Sequence, residues 1–144
     1  MRYRGAAGAW AWARARDGAG VLGRAVRSLD PDTIRAAIET GAAIDQPDRD
    51  GETALMIAAR LGDMAMIELF LRLGAAPDKR ADPPGPTALM LAANHGHRAA
   101  VERLLEAGAD PRLKTEDGWD AIKAAEDIGE YEIAALLRAR PGRR

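Results

Sequence analysis

His95 and His97 form the only His-x-His in the chain, and imidazoles at that spacing are the residues best placed to bind a metal or move a proton. A zinc-type site needs three or four ligands, and no carboxylate or cysteine spacing completes one around this pair. Cysteine is absent altogether, which removes thiolate ligands, disulfides and a thiol nucleophile. Ser28 is the only serine. A Ser-His-acid triad is assembled in space and not by sequence order, but no Gly-x-Ser-x-Gly turn and no alternating strand pattern supports one here. Asp17-Gly18, Asp50-Gly51 and Asp117-Gly118 are turn chemistry, in which glycine supplies a positive φ, and not acid–base pairs. The glycines are spread along the chain instead of clustering before a helix, so there is no phosphate-binding loop. The sequence therefore predicts no catalytic residue, no metal site and no cofactor. A metal-dependent enzyme around His95 and His97 is the one enzymatic alternative it leaves.

Elements rich in small apolar residues must position whatever site exists. The 144 residues include one Phe and two Tyr, so a core built on large aromatics is not expected. Alanine and leucine dominate, which suits helices stacked closely through small contacts. No apolar run approaches the roughly 18 residues that a membrane helix needs, so no membrane association is expected. The net charge of −1 is the sum of +5 over residues 1–27, +4 over 133–144 and −10 over the remainder. An acidic body with basic ends offers no extended track for phosphates, so nucleic acid is not an expected partner and the arginines read as solvating ends. The absence of cysteine fits a reducing, cytoplasmic location.

The chain is a repeat. Residues 51–75 and 85–109 align without a gap and agree at 13 of 25 positions. The Asp-Gly pairs are spaced by 33 and then 67 residues, with Pro84-Gly85 in the slot between. Four units fit, about 15–47, 48–80, 81–114 and 115–141, followed by a basic tail at 142–144. Each unit is predicted as a helix, a turn and a second helix, with a loop to the next. Thr53 and Thr87 are good N-caps. Gly62, Gly96 and Gly129 end the first helices, and second helices are expected about sixteen residues after Gly18, Gly51, Gly85 and Gly118. Their apolar stripes are Ile34, Ala37, Ile38; Ile67, Phe70, Leu71; Val101, Leu104, Leu105; and Ile133, Leu136, Leu137. No unit could bury such a stripe alone, so neighbouring units must stack. Residues 1–14, with Trp10 and Trp12, imitate a secretory leader, but the short Ala-based section closes on Arg14 and Arg16. They are expected to cover the exposed end of the first unit.

This pattern resembles the ankyrin repeat, whose period is 33 and whose first helix opens Thr-Pro-Leu-His-x-Ala. Here the signature reads Thr53-Ala-Leu-Met-Ile-Ala58 and Thr87-Ala-Leu-Met-Leu-Ala92. Gly96-His97 and Leu104-Leu-Glu-Ala-Gly-Ala109 match the family's later motifs. The resemblance implies an all-α helix–turn–helix solenoid over residues 15–141 with strong central and degenerate outer units. It also implies protein recognition through loop tips and the inner face of the first helices. The positions so implied are Arg49, Asp50, Glu52, Arg60, Asn94, His95, Glu116, Asp117 and Trp119. His97 takes a structural slot; His95 is either a contact or a bystander. Trp119 is either an exposed anchor or folded back on the neighbouring loop, and changing the patch residues is expected to leave the fold intact.

The departures from the family are specific. Ala54, Met56, Ala88 and Met90 replace the signature's Pro and His. Gly20 and Asp120 stand where Thr would cap. The loop from Lys79 to Pro86 holds three prolines and one extra residue, so a regular hairpin is not expected there. The acid surplus points to a protein partner with a basic patch. The chain on its own is expected to be a monomer. A narrower alternative is an immunity protein or antitoxin that blocks a basic toxic or enzymatic partner, and a spacer subunit of a larger assembly is a further one.

Overall fold

The computed structural model describes residues 25, 30–39, 41, 43–47, 51–80 and 84–140. The expectations for residues 1–14, and for Arg49 and Asp50, fall outside these residues. Seven helices occur among the described residues: α1 (Pro31–Glu39), α2 (Ala54–Leu61), α3 (Met64–Arg72), α4 (Ala88–Asn94), α5 (Arg98–Glu106), α6 (Ala121–Asp127) and α7 (Tyr131–Ala139). The short first helices α2, α4 and α6 pack side by side in one row. Each also packs on its own second helix, α3, α5 or α7, and α3 contacts α5. The architecture is an all-α repeat solenoid, with a single isolated bridge between Lys114 and Asp120 as its only β pairing among the described residues.

Small side chains set the spacing of the first row. Ala54, Ala88 and Ala121 directly follow the three caps, and Ala58, Ala92 and Ala125 lie four residues further on; all six are buried. A methyl group at each of these positions lets the helix backbones approach closely. Larger core side chains come from both rows: Leu55, Met56, Ile57, Leu89 and Met90 from the first helices, and Ile34, Ile67, Phe70, Val101, Leu104, Ile133 and Leu137 from the second, all almost fully buried. Leu71, Ile38 and Leu136 are only partly buried against this core. The stripe of α3 is thus carried by Ile67 and Phe70, with Leu71 at its edge.

The first helices α2, α4 and α6 are each capped by a side chain. Thr53, Thr87 and Asp120 accept from the amides of Met56, Met90 and Lys123. Asp120 therefore does the work expected of threonine. Met56 adds a second bond, its sulfur accepting from the Thr53 amide at 3.4 Å, so the thioether closes a capping box inside its own unit. The second helices begin thirteen residues after Gly51, Gly85 and Gly118, and not sixteen. The reversal needs only a left-handed glycine and one cap residue: Gly62 then Asp63, Gly96 then His97, and Gly129 then Glu130. After α4 and α6 one further residue, His95 or Ile128, precedes the glycine.

Polar ties join successive units. The Asp45 carboxylate accepts from the Ala76 amide at 3.0 Å, and Asp78, one repeat later, accepts from the Asp110 amide at 2.9 Å. His97 Nε2 lies 2.9 Å from the Arg60 carbonyl. Arg103 donates to Glu68 at 2.7 Å across the second-helix row. The Arg103 guanidinium holds the Glu68 carboxyl below its ordinary value, while Glu68 raises Arg103.

Candidate functional site

The loops and the C-terminal ends of the first helices bring the candidate residues together in a repeating order. The residue before each cap is Glu52, Pro86 or Trp119, and the residue seven after it is Arg60, Asn94 or Asp127. In the second unit these two positions form a bidentate ion pair, with Arg60 donating from Nε and Nη2 to Glu52 at 3.0 Å each. In the fourth unit the same two positions are joined again, now by the Trp119 indole N–H donating to Asp127 Oδ2 at 2.9 Å. In the third unit Pro86 has no group to offer, and Asn94 instead donates to the Ala124 carbonyl of the next unit at 3.2 Å. Glu52 and Arg60 are consequently a preorganised pair, and Asn94 is partly engaged in joining two units.

His95 is exposed at the end of α4. Its Nδ1 lies 2.9 Å from the Leu91 carbonyl, and its ring stacks on His97 with centroids 6.2 Å apart and planes 9° from parallel. The pair is held by backbone contacts and by the joint with the second unit. Among the described residues no group of three or more His, Cys, Asp or Glu is placed to hold a metal ion. His95 falls in the same register as Leu61 and Ile128, both of which are exposed apolar side chains. These three positions recur at one register in three successive units.

Glu116, Asp117 and Trp119 belong to a tight hairpin in the last unit. The Thr115 amide donates to the Trp119 carbonyl at 2.8 Å, and the Thr115 hydroxyl accepts from the Trp119 amide at 3.1 Å. That hydroxyl also donates to Asp117 Oδ1, which lowers the Asp117 pKa and keeps the carboxylate charged. Gly118 turns the chain with φ of 86°. The Glu116 amide donates to the Pro84 carbonyl at 2.9 Å, so this hairpin leans on the proline loop of the third unit. Between them lies an open cleft of about 580 Å³, lined by Pro84, Gly85, Pro86 and Trp119 with the carboxylates of Glu116 and Asp117 at its edge.

Trp119 is half-buried and packs against the core as well as lining the cleft. It is therefore both packed against the core and accessible. Sequence reading missed Asp127, and it left open whether the proline loop before Thr87 is a contact site or only an irregular junction. The register was the available signal, since Asp127 follows its cap by the same seven residues as Arg60 and Asn94. None of the described helices is long and apolar enough to cross a membrane.

A search of curated proteins returned no match. The family profile described as ankyrin repeats (3 copies) matches residues 22–115 and, in an overlapping placement, 66–143. Repeats of this family are generally protein–protein interaction modules. With the capped helix pairs, the left-handed glycines and the row of stacked first helices, the chain belongs to the ankyrin repeat family.

Proposed function

We propose that the chain is a non-enzymatic recognition module that binds a basic segment of a partner protein. The main contact is the cleft between Pro84-Gly85-Pro86 and the hairpin carrying Glu116, Asp117 and Trp119. The inner row of Arg60, Asn94 and His95 extends the contact towards the second unit. The observation that carries this reading is the composition of the cleft: an indole fixed by its bond to Asp127, two prolines, and two exposed carboxylates. A tryptophan face beside negative charge attracts a guanidinium or ammonium group by both cation–π and ionic forces. Tryptophan anchors ringed by charge are also the usual anatomy of a binding hot spot. The module acts as a monomer in the cytoplasm.

Affinity capture with quantitative mass spectrometry tests this. The baits are the unmodified chain, the Glu116→Lys/Asp117→Lys variant, and Glu106→Lys as a control on the exposed end of α5. A protein with a basic surface that is retained by the unmodified chain and the control, and lost by the double variant, supports the reading. Capture that is indifferent to the double variant sinks it.

A further inference from the structure

A second concavity, opposite in charge, lies where the third unit meets the last. A cleft of about 380 Å³ opens between the base of the hairpin and the C-terminal end of α7. Its floor is apolar: Pro111 and Leu137 are buried and Ile122 is half-buried. Arg112, Lys114, Arg138 and Arg140 stand around it, opposed by the single carboxylate of Asp120. That carboxylate is occupied in capping α6, accepting from the Lys123 amide at 2.9 Å. Arg112 is bonded to Asp110, and Arg138 to Glu126. Lys114 and Arg140 are both exposed, and their side chains make no ion pair among the described residues.

We infer that this cleft is a docking site for a short acidic segment of a protein that carries one apolar side chain. Two unpaired cations beside an apolar floor complement a chain that presents carboxylates on either side of a leucine-like residue. Carboxylates would gain charge-assisted bonds from Lys114 and Arg140 while the apolar group covers Ile122 and Leu137. The volume lies near the lower end of the roughly 300–1,000 Å³ typical of ligand sites, which suits a few residues and not a folded surface. Nucleic acid fits less well. The floor offers no aromatic face for a base to stack on, and the −10 charge of residues 28–132 opposes any longer phosphate track. This site differs in place and in sign from the Trp119 cleft, and it stands whether or not that cleft binds a basic partner.

The test is an amide-resolved NMR titration of the full chain with three probes. These are a glutamate-rich peptide with one central leucine, the same peptide with that leucine replaced by serine, and a short DNA duplex. The leucine peptide should give saturable shifts confined to Arg112, Lys114, Ile122, Arg138 and Arg140. Binding should weaken at least about tenfold for Lys114→Glu/Arg140→Glu, which removes two charge-assisted contacts, and severalfold for the serine peptide. An unchanged melting temperature of the double variant checks that its fold is intact, and the peptide pair gives a reading independent of any variant. Absence of saturable shifts at these amides overturns the proposal. So do equal binding of the two peptides, unaltered binding by a folded double variant, or DNA acting on the same amides at lower concentration than the leucine peptide.

Discussion

Replacing Gly62 with alanine should damage this fold far more than the same change at Gly129, although both glycines end a first helix with similar dihedrals. Gly62 has φ of 71° and Gly129 of 80°, so each substitution forces an L-residue into the left-handed region, at about 1–2 kcal/mol. At Gly129 nothing lies within 4 Å of the added methyl group. At Gly62 the methyl carbon would sit 2.6 Å from His97 Nδ1 and 2.8 Å from two ring carbons. His97 cannot keep its place, and its bond to the Arg60 carbonyl goes with it, a further loss of about 0.5–1.5 kcal/mol. The stack on His95 is disturbed as well. Gly62→Ala should therefore cost about 1.5–3.5 kcal/mol in urea unfolding followed by circular dichroism, against about 1–2 kcal/mol for Gly129→Ala. In a His97→Ala background the Gly62 substitution should fall back to the backbone figure, because the clashing ring is gone. Equal costs at the two glycines, or strict additivity of Gly62→Ala with His97→Ala, would refute the claim that the joint between the second and third units is a glycine seated on that ring.

Leu104→Ala should cost about 2–5 kcal/mol, as for a fully buried leucine, and Leu71→Ala clearly less, because Leu71 lies at the edge of its helix stripe; thermal or urea melts give the order. Trp119→Ala should lower stability by about 1–3 kcal/mol through lost packing and the lost Asp127 bond, and Asp127→Ala by about 0.5–1.5 kcal/mol through the bond alone, each read in urea. The Glu68–Arg103 tie should depend on acid. Arg103 lowers the Glu68 pKa, so this contribution is fully present above the ordinary glutamate value of 4.5 and is lost as pH falls through the lowered folded value. A double-mutant cycle with Glu68→Gln and Arg103→Met should show coupling at neutral pH that fades below that range, and coupling that persists in strong acid would contradict the assignment.

Much of this architecture is legible from the sequence, because the signals are local and repeated. The Thr53 and Thr87 caps, the glycines at 62, 96 and 129, and the match between 51–75 and 85–109 each specify a turn or helix end without help from distant residues. The stripes of α5 and α7 follow from helical spacing in the same way. What escaped is what depends on side-chain conformation and on the neighbouring unit. Nothing near Met56 announces that its sulfur would close a cap, and nothing near Trp119 announces that it would meet both Asp127 and the core. The prolines before Thr87 signal a broken hairpin, yet their place as one wall of a cleft depends on the Glu116 amide reaching the Pro84 carbonyl. The charge count misleads in a similar way. Asp45, Asp63, Asp78 and Asp120 accept from backbone amides, so part of the acid surplus holds loops and helix ends together and is not offered to a partner. Glu116 and Asp117 are exposed at a loop tip, which is why the proposed basic partner rests on them and not on the net charge of the body.

The most direct test of the central claim is amide hydrogen exchange of the chain, alone and bound to the partner obtained by the differential capture. Recognition through the Trp119 cleft predicts new protection at Gly85 and across 115–119, with weaker protection at Asn94 and His95 and none along the outer helices α3 and α5. Protection concentrated on α3 and α5, with the 115–119 amides exchanging as they do in the free chain, would contradict it.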